Sequence, residues 1–276
     1  MRLYISCDME GTAGVVDWTQ VDPNNASEYP YYRRVMSQEV RAAIEGARSA
    51  GARDVLVNDS HWYMRNLLWD ELPEDVRVIS GYRKPFSMGE GLEGGFDCAF
   101  FTGYHAGVGE RGGVMDHTYT ARVIYDVRVN GVRCSEGHLN AALAGWHGIP
   151  VTLITGDRAA VDQLRRELPW VTGVVVKEPI GRFSANSVSP ARARALIREG
   201  AAEAMRRIAE ARPYRFEPPI ALELDLVGTA MADVVELIPG FERTAGRSLR
   251  FVHEDFPTVY QAFIAAYRLG GTAIDE

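Results

Sequence analysis

Arg2-Leu3-Tyr4-Ile5-Ser6-Cys7-Asp8-Met9-Glu10-Gly11-Thr12-Ala13-Gly14 is the stretch on which the reading of the chain turns. Residues 2–7 read as a β-strand that stops at Asp8. Asp8 and Glu10 stand two apart, so in an extended segment both carboxylates face one side. Gly11 and Gly14 then allow the backbone to turn sharply away. In an open parallel sheet, ligands collect beyond the carboxyl ends of the strands, so this pair sits where chemistry is expected.

The elements that follow carry the same pattern. Tyr32–Ala50 reads as a helix, since Met36, Val40, Ala43, Ile44 and Ala47 share one face and Gly51 suits the C′ position. Asp54–Asn58, Val76–Ser80, Asp97–Thr102 and Val151–Thr155 are short apolar runs of the kind buried in a parallel sheet. Val123–Val129 with Asn130-Gly131 behind it reads as a hairpin through a type I′ turn. A helix covers roughly Glu136–His147. Alternating β and α elements make the fold class α/β, a mostly parallel sheet covered by helices. Beyond about residue 180 the texture changes. Ser189-Pro190 opens a long Arg/Ala-rich helix to about Ala211, Pro213…Pro218-Pro219 is a stiff connection, and Ile220–Val227 alternates like a half-exposed strand. Phe251–His253 belongs to another strand and Pro257–Leu269 is a final helix. The expected division is an α/β metal-binding catalytic domain over 1–180 and a smaller α+β domain over 181–276, with no internal repeat.

At 276 residues, 46% hydrophobic and 24% charged, the chain reads as an ordinary globular protein with room for a sizeable core. A net charge of −7 argues against a nucleic-acid partner. No segment approaches the roughly 18 apolar residues of a membrane span, and no leader is visible, so a cytoplasmic protein with no membrane role is expected. Cys7, Cys98 and Cys134 are an odd number at no zinc-ribbon spacing and read as reduced buried thiols. The positive charge is nearly all arginine, Lys84 and Lys177 being the only lysines; that reads as compositional bias and not as function.

Asp59-Ser60-His61, Tyr104-His105 and Glu136 follow the same rule as Asp8 and Glu10, each standing at a strand end or a helix start. His117 lies nearby in sequence. Mixed oxygen and nitrogen donors suit a pair of zinc-like divalent ions. Taken singly, each residue has a bland reading: Asp8 as a turn or capping residue, His61 and His117 as loop histidines, Tyr104-His105 as part of a tight loop. Their joint occurrence at strand ends carries the metal reading. His138 is expected to face elsewhere, and His147 and His253 to be structural. Gly89-Glu90-Gly91-Leu92-Glu93-Gly94 matches the dinucleotide fingerprint in letters only. It lacks the strand before it and the helix after it, and two glutamates would face a pyrophosphate.

Six ordered blocks resemble one family, the zinc-dependent D-aminopeptidases of dipeptide-transport operons. These are Ser6-Cys7-Asp8-Met9-Glu10-Gly11, Val57-Asn58-Asp59-Ser60-His61, Lys84-Pro85-Phe86-Ser87-Met88, Gly103-Tyr104-His105-Ala106, Gly113-Val114-Met115-x-His117 and Glu136-x-x-Leu139-Asn140-Ala141. The likeness spans the chain and is weakest after about residue 180. It implies two Zn2+ per chain, held by Asp8, Glu10, His61, His105 and Glu136, with Asp8 as the bridge. It implies short peptides with an amino-terminal D-residue as substrate, and a homodecamer of two stacked pentameric rings. The chain departs from the family at Gly137-His138, where Leu-Gly is more usual.

The expected chemistry is attack on the peptide carbonyl by a metal-activated hydroxide. His117 is the candidate acid/base or oxyanion stabiliser, and Asp59 and Asn140 are candidates to orient ligands. Two alternatives stand beside it: a dinuclear hydrolase of another amide or ester bond, and a non-catalytic cytosolic dipeptide-binding protein.

Overall fold

A computed structural model describes residues 1–274. In chain order the strands are β1 (Arg2–Cys7), β2 (Asp54–Asp59), β3 (Arg77–Ile79), β4 (Cys98–Tyr104), β5 (Ile124–Val129), β6 (Val132–Arg133), β7 (Val151–Asp157), β8 (Thr172–Gly181), β9 (Ser184–Ser187), β10 (Ile220–Leu226), β11 (Phe241–Ala245) and β12 (Ser248–His253). The helices are α1 (Trp18–Val21), α2 (Tyr29–Ser49), α3 (Glu136–Trp146), α4 (Arg158–Glu167), α5 (Pro190–Arg206), α6 (Thr229–Val235) and α7 (Phe256–Gly270).

Seven strands form one sheet in the order β3-β2-β1-β4-β7-β8-β9. Every pairing in it is parallel except β8 with β9. The period of two sorts its central strands. Leu3, Ile5, Val55, Val57, Cys98 and Phe100 enter the core under α2 and α5, while Tyr4, Leu56, Ala99 and Phe101 enter the core on the other face. Because both faces are covered, these strands are apolar on both faces through their central residues.

The second sheet is antiparallel, in the order β11-β12-β10-β5-β6. Its apolar face, with Val127, Val129, Leu222 and Leu224, packs with Phe256, Val259, Tyr260 and Phe263 of α7. The hairpin over 124–133 therefore lies with the strands beyond residue 220, through pairs such as Val129 with Leu222. In the other direction, β9 pairs onto the first sheet and α5 packs beside α2.

Local signals behave as elementary rules require. Ser189 caps α5, accepting from the Arg192 N–H, with Pro190 in the first turn. Asn130 and Gly131 both take positive φ at the β5–β6 turn. The helix expected from Tyr32 starts earlier, at Tyr29, because Pro30 is tolerated in a first turn.

Candidate metal centre

Two glycines bring the ends of β1 and β4 together. The Asp8 N–H donates to Thr102 O at 2.8 Å and the Gly11 N–H to Gly103 O at 2.7 Å. A side chain on Gly11 would lie 2.0 Å from Tyr104 O, and one on Gly103, whose φ is +68°, would lie 2.2 Å from Asp8 O. Only glycine permits that approach, and it sets Asp8 and Glu10 beside His105.

His61 arrives from the end of β2. Its Nδ1 lies 3.2 Å from Asp8 Oδ1 and 3.0 Å from Glu10 Oε2, and its Nε2–H donates to the Val21 carbonyl at 2.9 Å. His105 Nε2 lies 3.4 Å from Asp8 Oδ2 and 3.3 Å from Glu136 Oε1, while its Nδ1–H donates to Ala106 O at 2.9 Å. His117 Nε2 lies 3.9 Å from Glu10 Oε1 and 3.8 Å from Glu136 Oε1, and its Nδ1–H donates to Met115 O at 2.8 Å. Glu136 is the first residue of α3, where Ser135 caps the helix, and its Oε1 accepts the Tyr119 N–H at 2.6 Å. All six residues are buried, none more than 6% exposed. The structure thus brings together the five residues singled out as ligands and, beside them, His117, the candidate acid/base.

The donor set fits a metal. A carbonyl only accepts, so each imidazole has its outer N–H fixed and its inner nitrogen aimed at carboxylates, the arrangement that orients metal-binding histidines. Asp8 Oδ2 and Glu10 Oε2 are buried and accept no hydrogen bond among the described residues, which is costly for carboxylates unless a cation meets them. Ligand atoms of Asp8, Glu10 and His105 lie within 4.8 Å of one another, as do those of His105, His117 and Glu136. His61 belongs with the first group by its distances to Asp8 and Glu10.

Protonation follows from crowding. Burial and the neighbouring Glu10 push the Asp8 carboxyl up to about 8. Burial also raises Glu10, but His61 outweighs it and holds Glu10 well below the usual carboxylate range. Burial works against a charge on His105, yet Glu136 and Asp8 carry it up to about 10. His117 moves the other way, lowered by burial and by the neighbouring His105.

Asp59 points away from the carboxylates and accepts from the Asn66 and Leu67 N–H groups at 2.5 and 2.9 Å. Asn66 Nδ2 in turn donates to His61 O at 2.7 Å. Asn140 donates to the Tyr104 hydroxyl at 3.0 Å and accepts from those of Tyr260 and Tyr119 at 2.7 and 3.3 Å. His138 faces back onto the start of α3, where its Nδ1 accepts the Ser135 N–H at 3.1 Å, so the unusual Gly137-His138 pair completes a helix cap. Cys134 is buried and its thiol is raised by burial. The Val21 carbonyl, the Tyr119 N–H and Trp18, whose ring meets His117 edge-on at 5.1 Å, were not singled out. Backbone groups carry no signature in the sequence, and Trp18 stands among residues with no metal-binding pattern.

Carboxylates and oriented imidazoles at the carboxyl edge of a parallel sheet make up the site of a metallohydrolase. Within that class, the chain belongs to the D-aminopeptidase family, Peptidase M55, whose pattern it matches over residues 1–265. It is 36% identical over 273 residues to the D-aminopeptidase of Bacillus subtilis, across 98% of this chain and 97% of that protein. Its fold is similar, with a TM-score of 0.94 and 34% identity over 98% of each chain, to the Zn-dependent D-aminopeptidase DppA from Bacillus subtilis, a self-compartmentalizing protease.

Proposed function

We propose that the chain is a zinc aminopeptidase that releases amino-terminal D-residues from short peptides, with Asp8, Glu10, His61, His105 and Glu136 holding two Zn2+. The observation that carries this reading is the placement of Asp8: Oδ1 faces His61 and Oδ2 faces His105. One carboxylate thus serves two half-sites, Glu10 and His61 on one side and His105 and Glu136 on the other. When bound, the metal pair supplies a hydroxide at neutral pH and polarises the scissile carbonyl.

The chain's own residues do the rest. His117 presents Nε2 between Glu10 and Glu136 with its other nitrogen tied to Met115 O, so Nε2 is the atom that would take a proton from the attacking water and return it to the leaving amine. Burial of the whole cluster excludes bulk water and strengthens each electrostatic contact. A second role for His117 is favoured by its distances to His105 and Glu136, namely that of a further ligand.

The assembly we propose is a homodecamer of two pentameric rings enclosing the sites, supported by the self-compartmentalizing relative. The three free, buried cysteines suit a reducing cytoplasm, and no helix among the described residues is long and apolar enough to cross a membrane. The test is hydrolysis of D-Ala and L-Ala p-nitroanilides and dipeptides by protein stripped with chelator and then reloaded with zinc. Zinc-dependent cleavage with preference for D-Ala is expected. Peptide binding without turnover would instead support a carrier, and turnover of other amides or esters alone would support a different hydrolase.

A further inference from the structure

The chain has 30 lysine and arginine residues, of which only Lys84 and Lys177 are lysines. No arginine is buried, whereas Lys84 is 8% exposed and Lys177 1%. The two exceptions to the arginine bias are thus the two buried residues among the lysines and arginines of the described residues.

Both hold main chain at the edge of the metal centre. Lys177, on β8, donates to three carbonyls of the loop after β1: Glu10 at 2.5 Å, Thr12 at 3.1 Å and Val15 at 2.5 Å. The same loop is held from α2, where Glu39 accepts the Ala13 N–H at 3.0 Å. Lys84 donates to the carbonyl of Asp59 at 2.7 Å and to the side-chain oxygen of Asn58. Glu10 itself carries a site carboxylate, and Asp59 stands two residues before His61. Fixing the Glu10 carbonyl fixes the peptide plane from which its side chain leaves. Fixing the end of β2 fixes the step to His61.

Charge alone does not explain the choice. Three carbonyls converging on one point call for a compact ammonium with three N–H donors, whereas a guanidinium is planar and spreads its donors over a wider fork. Arginine serves wherever the cation is at the surface; the three carbonyls on Lys177 do not suit its fork, and Lys84 meets two oxygens in the same compact way.

We infer that Lys84 and Lys177 are positioning residues that set Glu10 and His61 at metal-binding distance, and that the positions require an ammonium and not merely a positive charge. The inference rests on the metal centre proposed above.

The test uses full-length wild type and the variants Lys177→Arg, Lys177→Met and Lys84→Arg. Zinc affinity is measured by competition with a chromogenic chelator, and melting is followed with and without zinc. Each variant is expected to bind zinc about 10–100-fold more weakly, the usual effect of losing a group that orients ligands. Lys177→Arg should fall as far as Lys177→Met, and the zinc-induced rise in melting temperature should shrink in both. A lower zinc-free melting temperature with wild-type affinity and a full zinc-induced rise would overturn the inference, since the lysines would then only hold the fold. Wild-type behaviour of Lys177→Arg beside a defective Lys177→Met would overturn the requirement for an ammonium. If a Lys177 variant is unfolded without zinc, Lys84→Arg carries the test: wild-type zinc affinity in it overturns the inference, and weaker affinity at an unchanged zinc-free melting temperature supports it. Wild type that binds no zinc would refute the metal centre itself, an outcome distinct from all of these.

Discussion

His105 and His117 lie face to face, with ring centroids 4.0 Å apart and planes 5° from parallel. At that spacing two imidazolium charges repel strongly. The directions agree: His105 is raised by Glu136 and Asp8 against its burial, and His117 is lowered by burial and by His105. The stacked pair therefore favours a single positive charge, with His117 the neutral partner.

His117→Ala is accordingly expected to lower the rate of peptide hydrolysis by about 10²–10⁴-fold while zinc content stays at the wild-type level. Elemental analysis alongside kinetics decides. Loss of zinc would make His117 a ligand, and near-normal turnover would return it to an ordinary loop histidine.

Asp8→Ala removes the carboxylate that faces both His61 and His105. Activity should disappear and zinc occupancy should fall at both positions. Loss of one zinc with the other retained would show Asp8 to be a terminal ligand and not a bridge.

Asn140→Leu leaves the hydroxyls of Tyr104, Tyr119 and Tyr260 without their shared partner. The Tyr104 hydroxyl keeps Ser6 Oγ at 2.7 Å and those of Tyr119 and Tyr260 keep each other, so the loss is that of the Asn140 hydrogen bonds, about 1 kcal/mol each, and a drop in melting temperature is expected. Because the Tyr119 N–H holds Glu136, zinc binding should weaken as well. Unchanged melting would mean that Ser6 and the Tyr119–Tyr260 pair satisfy the hydroxyls without Asn140.

Glu39 provides a pH test away from the metal ligands. It is buried, its Oε1 accepts the Ala13 N–H, and its Oε2 has no hydrogen-bond partner among the described residues. Burial pushes its carboxyl up from 4.5 to about 7. A folded pKa above the unfolded one favours the folded state fully below about 4.5, and that advantage is lost as pH rises through about 7. The loss is on the order of 3 kcal/mol. Glu39→Gln keeps an acceptor for Ala13 and should flatten the decline in stability between about pH 5 and 8, measured by urea unfolding. An unchanged slope would assign the decline to other groups.

For the assembly, light scattering is expected to report about ten times the 30.6 kDa chain mass, with di- and tripeptides cleaved much faster than long chains. A monomer that cleaves short peptides would refute the rings and leave the metal chemistry intact. A particle that degrades long polypeptides equally well would refute the chamber as a size filter.

Much of the scaffold was legible because its signals are local. The apolar run at 2–7, the Ser189-Pro190 cap and the Asn130-Gly131 turn each state a backbone preference within a few residues, and β1, α5 and the β5–β6 turn appear there. β8, β9, β11, α1, α4 and α6 were not singled out. α1 is only four residues long, and Ser184–Ser187 carries no apolar alternation, since pairing with β8 makes it a strand.

The sequence by itself determined which donors stand at strand ends, because a strand that stops at Asp8 or Tyr104 puts the next polar residues at the sheet's carboxyl edge whatever the rest of the chain does. It also determined the family, through six ordered blocks. Only the tertiary structure decided how those donors face one another. The glycine crossing of β1 and β4 turns Asp8 toward His61 and His105 at once, and carbonyls of Val21, Ala106 and Met115 choose which nitrogen of each imidazole looks inward. Those carbonyls leave no mark in the sequence, since every residue has one. The lysines show the same limit: nothing in the sequence separates Lys84 and Lys177 from the composition bias, and only the fold places them inside, with three carbonyls on Lys177 and that of Asp59 on Lys84.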